Sequence, residues 1–112
     1  MKPFEIFSWQ PEGWPEAHPC VIISSAARAA QKPDLEVVMC SSKAAGRAAE
    51  PSEMILDTAD GLDWPTICKC DLIRTVKKTD LKKRRGEVSK PRRATLVRTL
   101  ISAHGWGEII AG

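Results

Sequence analysis

The sequence predicts a mainly β fold: a small, partly open β-barrel covered by one C-terminal helix. Three observations carry this. Short apolar, β-branched runs recur at 4–10, 20–24, 35–42, 53–57 and 66–76, separated by segments rich in Pro, Gly, Asp and Ser. One long segment alone, 90–105, has helical periodicity. A chain of 112 residues without internal repeats supplies a single core, hence one domain over 1–112.

Each element follows from its residues. FEIFSWQ (4–10) alternates as a first strand, and PEGWPEAHP (11–19) is punctuated by proline and glycine and cannot continue it. CVIIS (20–24) is continuously apolar, as in a central strand covered on both faces. SAARAAQKPD (25–34) reads as a connector with at most one helical turn, too short to be a stable helix by itself. LEVVMCSS (35–42) and EMILD (53–57) are strands around a small-residue loop, and TADGLDWP (58–65) is a turn. After the strand TICKCDLIRTV (66–76), KKTDLKKRRGEVS reads as a polar turn, a basic loop to Arg85 and a short returning strand around 86–88. In the helix, Pro91 suits the first turn, Leu96, Val97, Leu100 and Ile101 form the apolar stripe, and Gly105 supplies the stop. GWGEIIAG is an apolar tail able to dock.

The strand 66–76 poses a question. Regular alternation puts Cys68, Cys70 and Leu72 on one face and Ile67, Lys69, Asp71 and Ile73 on the other. Lys69 and Asp71 then project together from Cα atoms about 7 Å apart, a weak surface ion pair unless function uses them. The thiol face would point into the barrel. Cys20 and Cys40 stand alone in apolar runs and Cys68-x-Cys70 lacks the spacing of a zinc site, so all four read as buried free thiols.

The formal net charge is only +3, yet 11 Lys or Arg fall between Arg74 and Arg98 against Asp80 and Glu87. A basic half suits a polyanion or an acidic partner, or else a solvated surface. No apolar run reaches the roughly 20 residues that cross a bilayer, and MKPFEIFSWQ has no secretory h-region, so a cytoplasmic protein is expected. Trp9, Trp14 and Trp64 suit stacking on bases or packing in a core or dimer seam.

These segments together resemble one family. HPCVIIS is similar to RPVVVLS, VVMCSS to VVPVTS, and TICKCDLIRTV to GVVRCDQPRTI, segments of the PemK/MazF/Kid toxins of bacterial toxin–antitoxin systems, and the resemblance runs in order from 5 to the final helix. It implies an SH3-like barrel of the PemK/CcdB type that forms a homodimer with a groove for single-stranded RNA. It further implies a metal-independent endoribonuclease without cofactor, leaving a 2′,3′-cyclic phosphate and a 5′-OH. A cognate acidic antitoxin protein would occupy the same groove.

Such cleavage needs a base for the 2′-OH, charge stabilisation at phosphorus and an acid for the 5′-oxygen. The resemblance places these roles on His18 or Asp71 as base, His18 as acid, Lys69 as electrostatic clamp and Ser41 as phosphate donor. An imidazole, with a reference pKa of about 6.5, suits proton shuttling better than an ammonium near 10.4. Candidate RNA grips are Ser42 at the close of its strand, Lys43 and Arg47 in the small-residue loop, and Lys77, Lys78, Lys82, Lys83, Arg84 and Arg85 in the basic loop. Three positions depart from the family: His18 and Lys69 stand where it has arginine, and Ser41 where it has threonine. The alternatives are a module of this fold that binds RNA or an antitoxin-like peptide without cutting, and a gyrase-directed toxin like CcdB.

Overall fold

Each strand of the protein hydrogen-bonds antiparallel to its neighbours in one six-stranded sheet, as the computed structural model describes for residues 1–42 and 47–112. The strands are β1 (Glu5–Trp9), β2 (His18–Ile22), β3 (Asp34–Ser41), β4 (Glu53–Leu56), β5 (Thr66–Lys77) and β6 (Leu81–Glu87), in the order β4-β5-β3-β2-β1-β6. Helices α1 (Ala26–Gln31), α2 (Lys90–Ala103) and α3 (Trp106–Ala111) complete the fold. The sheet is not closed, because β4 and β6 are its two edges; "barrel" holds only in the loose sense.

Period-2 alternation separates two cores. Ile6, Val21, Val38, Leu56 and Cys68 pack with Leu96 and Leu100 of α2. From the intervening positions, Trp9, Cys20, Ile22, Val37, Met39 and Val76 pack with Ala29 of α1. β2 is central, as its unbroken apolar run predicts, and Cys20, Val21 and Ile22 are fully buried.

The open side is bridged by a single 3-10 turn, Thr58–Asp60, lying against β6. A Cβ at Gly86 would stand 2.1 Å from the Asp60 carbonyl oxygen, so only glycine permits this approach. The buried Asp60 carboxylate accepts the Asp57 N–H at 3.0 Å, the Ser89 N–H at 2.8 Å and Arg92 Nη1 at 2.6 Å. It thereby ties the turn to the entry of α2.

Four expectations change. The connector 25–34 contains a true helix, α1, because Ser25 caps it and Arg28 anchors it to Glu36 at 2.7 Å. The basic stretch is strand rather than loop: β6 begins at Leu81, and its residues supply backbone pairing to β1 at a sheet edge, where exposed cations are tolerated. The tail forms α3, with Ile109 and Ile110 about three-quarters exposed.

The fourth correction concerns 66–76. Val38 pairs with Ile73 but Cys40 pairs with Cys68, so Met39 alone faces the stretch 69–72. This bulge has an odd surplus of residues and therefore exchanges the faces of β5. Cys68 and Cys70 stay buried and Ile73 joins their cluster, while Leu72 is 41% exposed. Leu72 does not share the thiol face.

Candidate active site

The bulge builds a cleft of about 210 Å³. His18 enters it from the start of β2, Ser41 from the end of β3, and Lys69, Leu72 and Arg74 from β5, against walls of Trp9, Trp14, Met39 and Cys40. Regular alternation would put Lys69 and Arg74 on opposite faces; the exchange at 69–72 brings both to one.

Aromatic rings set the geometry. Trp14 lies 5.3 Å from Trp9 and meets the His18 ring edge-on at 5.7 Å, while the Arg74 guanidinium sits 5.4 Å over Trp9. The last is a cation–π contact that orients the guanidinium without neutralising it. The buried Trp9 indole N–H has no hydrogen-bond partner, the one such side-chain atom among the described residues.

Among the described residues, no carboxylate lines the cleft. Glu53, the register partner of Lys69, is gripped by Arg47 at 2.8 and 2.7 Å. Those hydrogen bonds, with the Glu50 N–H, pull its pKa down to about 2. Two cations, an imidazole and a hydroxyl thus share one concave surface, which suits a phosphodiester.

Of the residues singled out in the sequence, His18, Ser41 and Lys69 meet in this cleft. Asp71 is exposed on the bulge and is not among its walls. Arg74 is the cleft residue that sequence reasoning missed: no simple period places it beside Lys69, and only the register shift does. Ser42 lines a neighbouring cavity. Lys43 lies outside the described residues. Several other candidate grips already have partners: Arg47 holds Glu53, Arg84 holds Glu5 at 2.7 Å, Lys78 donates to the Ala29 carbonyl and Lys82 to that of Thr79. Lys77 and Lys83 are exposed, and Arg85 reaches the Ser8 hydroxyl at 3.3 Å.

The thiols are all free and buried. Burial pushes the Cys20 thiol up to about 12; contact with Cys40, with burial, drives Cys68 upward, and contact with Cys68, with burial, drives Cys70 upward. Among the described residues no group of three or more His, Cys, Asp or Glu stands at metal-binding spacing. No helix among them is long and apolar enough to cross a membrane.

Solved structures share this fold. The Mycobacterium tuberculosis toxin MazF-mt6 superposes with a TM-score of 0.77 at 19% identity, covering 93% of this chain and 97% of that one. A mycobacterial endoribonuclease in complex with its cognate antitoxin gives 0.77 at 22% identity, covering 94% and 95%. MazE-MazF from Deinococcus radiodurans gives 0.74 at 16% identity, covering 94% and 95%. No curated protein matches the sequence. The family model for the PemK-like, MazF-like toxin of type II toxin–antitoxin systems matches residues 6–104, nearly the whole chain, and the protein therefore belongs to that family of toxins.

Proposed function

We propose that the toxin is an endoribonuclease that cuts single-stranded RNA to 2′,3′-cyclic phosphate and 5′-OH ends. The observation that carries this reading is the cleft holding His18, Ser41, Lys69 and Arg74, with no carboxylate among its described residues. Lys69 and Arg74 neutralise the phosphate and stabilise the charge that grows on its oxygens in the phosphorane. Ser41 donates a hydrogen bond to one of those oxygens. His18 accepts the 2′-OH proton as the 2′-O–P bond forms, and the imidazolium returns it to the 5′-oxygen as the P–O5′ bond breaks. Its place in the cleft favours it over Asp71 as base. Two side-chain cations supply the charge a metal would otherwise bring, so the reaction proceeds in a chelator.

Two copies are expected to assemble a continuous RNA groove, and an acidic antitoxin segment to compete for it. The antitoxin complexes among the structural relatives support that partner. An RNA substrate places the action in the cytoplasm.

The test is purified protein on mixed-sequence single-stranded RNA with EDTA, comparing wild type with His18→Ala and Asp71→Ala. Products with 5′-OH ends that His18→Ala abolishes support the reading; cutting undiminished in both variants refutes it. A second reading, binding without cutting, is favoured by histidine at residue 18, where the family has arginine. Binding of RNA by wild type with no cleavage products would establish it.

A further inference from the structure

Beside the cleft lies a second cavity, of about 100 Å³, separated from it by a single ridge. Strand ends make the ridge. His18 and Ser41 line the first cleft, whereas their chain neighbours Ala17, Pro19 and Ser42 line the second. A phosphate bound in the first cleft would therefore leave the second cavity within reach of an adjoining nucleotide.

The second cavity is built differently from the first. Trp64, half exposed, presents an indole beside Leu62, and Asp63 and Arg85 bring opposite charges to one wall. Arg85 is positioned by the buried Ser8, whose hydroxyl accepts from Nη1 at 3.3 Å. Its Nη2 stands 3.7 Å from Asp63 Oδ2. At that distance the two form an ion pair without a hydrogen bond, so the hydrogen-bonding sites they turn toward each other remain available to a ligand.

We propose that this cavity is the subsite that reads the base next to the cut, and that the base is guanine. The inference rests on the RNA-cleaving reading above. An indole face stacks any base and so selects none. Selection comes from the wall, which sets a cationic donor beside a carboxylate acceptor. Guanine presents the complement: O6 and N7 accept from Arg85, while N1–H and the N2 amino group donate together to the two oxygens of Asp63. Adenine and cytosine each offer one exocyclic amine beside a ring acceptor, which leaves one carboxylate oxygen unpaired. Uracil offers a single donor between two acceptors, which would face the carboxylate.

The experiment sequences the cut sites made by the full-length protein in a random single-stranded RNA pool, for wild type and Asp63→Asn. The Asp63 side chain is 73% exposed, so the variant is expected to keep the fold, which circular dichroism checks. An asparagine amide accepts one hydrogen bond and donates one, which fits the amine and N1 of adenine. Wild type should prefer guanine at one position adjoining the cut. The variant should lower the guanine-to-adenine ratio there by on the order of ten- to a hundredfold, with the other positions unmoved. Cutting with no guanine preference beside the cut, or a preference unchanged by Asp63→Asn, overturns the proposal and leaves the nuclease standing. If wild type cuts nothing, the nuclease reading falls and the subsite is judged by nuclear magnetic resonance. Guanosine 3′-monophosphate should then shift the Trp64 indole signal more than the other three nucleotides do, and only in protein that keeps Asp63. Equal shifts from all four overturn it.

Discussion

His104 Nε2 lies 2.8 Å from the carbonyl oxygen of Cys70. A carbonyl only accepts, so Nε2 carries the hydrogen. The bond ties the end of α2 to the β5 bulge, whose Cys70 N–H is held on the other side by the Ser52 carbonyl at 2.9 Å. Lys69 adjoins this fixed peptide, and the cleft depends on it. His104→Ala should destabilise the protein by about 1–2 kcal/mol in urea unfolding. It should also slow RNA cleavage several-fold, although His104 lies outside the cleft. His104→Gln, which keeps a donor, should restore part of both; a purely structural role would restore stability and leave the rate at wild type in every variant.

Arg92 contacts both Asp57 and Asp60, and the Asp60 side chain is fully buried. Removing the guanidinium strands a buried carboxylate. Arg92→Ala should therefore cost about 2–3 kcal/mol, below the range for a fully enclosed pair because a third of Arg92 meets solvent. Gly86→Ala should be at least as damaging, since its methyl would collide with the Asp60 carbonyl, and adding Arg92→Ala to it should cost less than the sum. Denaturant midpoints of the two single variants and the double variant check this.

These dependencies explain what the sequence could reveal. β2 and the first half of β5 announce themselves through apolar, β-branched residues, because burial selects those side chains. β6 contributes mainly backbone to β1, so KKRR carries no burial signal and reads as a loop. Helix α1 rests on the Ser25 cap and on the Arg28–Glu36 contact; the latter joins residues on two elements and leaves no trace in local periodicity. The bulge is the costliest omission. It depends on β3 and β5 pairing in two registers at once, and it alone brings Arg74 beside Lys69 while leaving Asp71 outside. His18, Ser41 and Lys69 were legible through resemblance, not through any property of isolated positions.

Glu36 links acid stability to α1. Hydrogen bonds from Arg28, then Ser24, hold its pKa near 2 against an ordinary 4.5. The folded value is the depressed one, so the stabilisation is complete above about pH 4.5 and is lost as the pH falls toward 2. Glu53, lowered to about 2 by Arg47, acts in the same direction. Glu36→Gln should flatten the fall in thermal midpoint across that interval while lowering the midpoint at neutral pH. A wild-type slope unchanged in the variant would contradict the assignment.

The buried thiols should resist modification. With its pKa pushed to about 12, Cys20 has a thiolate fraction on the order of 10⁻⁴ at pH 8, and Cys68 and Cys70 are raised as well. Ellman's reagent should label the native protein slowly, at a rate set by opening of the fold, and label all four cysteines at once in guanidinium. Fast labelling of the native state would show that the two cores are looser than their packing implies.

Arg74 and Asp71 give the sharpest separation of the site from its surroundings. Both lie on β5, but Arg74 enters the cleft over Trp9 whereas Asp71 faces solvent. A guanidinium that stabilises the phosphorane should be worth about 10²-fold in rate when removed, as for other oxyanion donors. Arg74→Ala should thus lower kcat/KM on single-stranded RNA by roughly that factor, and Arg74→Lys should recover only part of it, because the ammonium keeps the charge and loses the fork. Asp71→Asn should cost clearly less than either His18→Ala or Arg74→Ala. Were the order reversed, the proton would leave through the carboxylate on the bulge, and the cleft would have to be entered from that side.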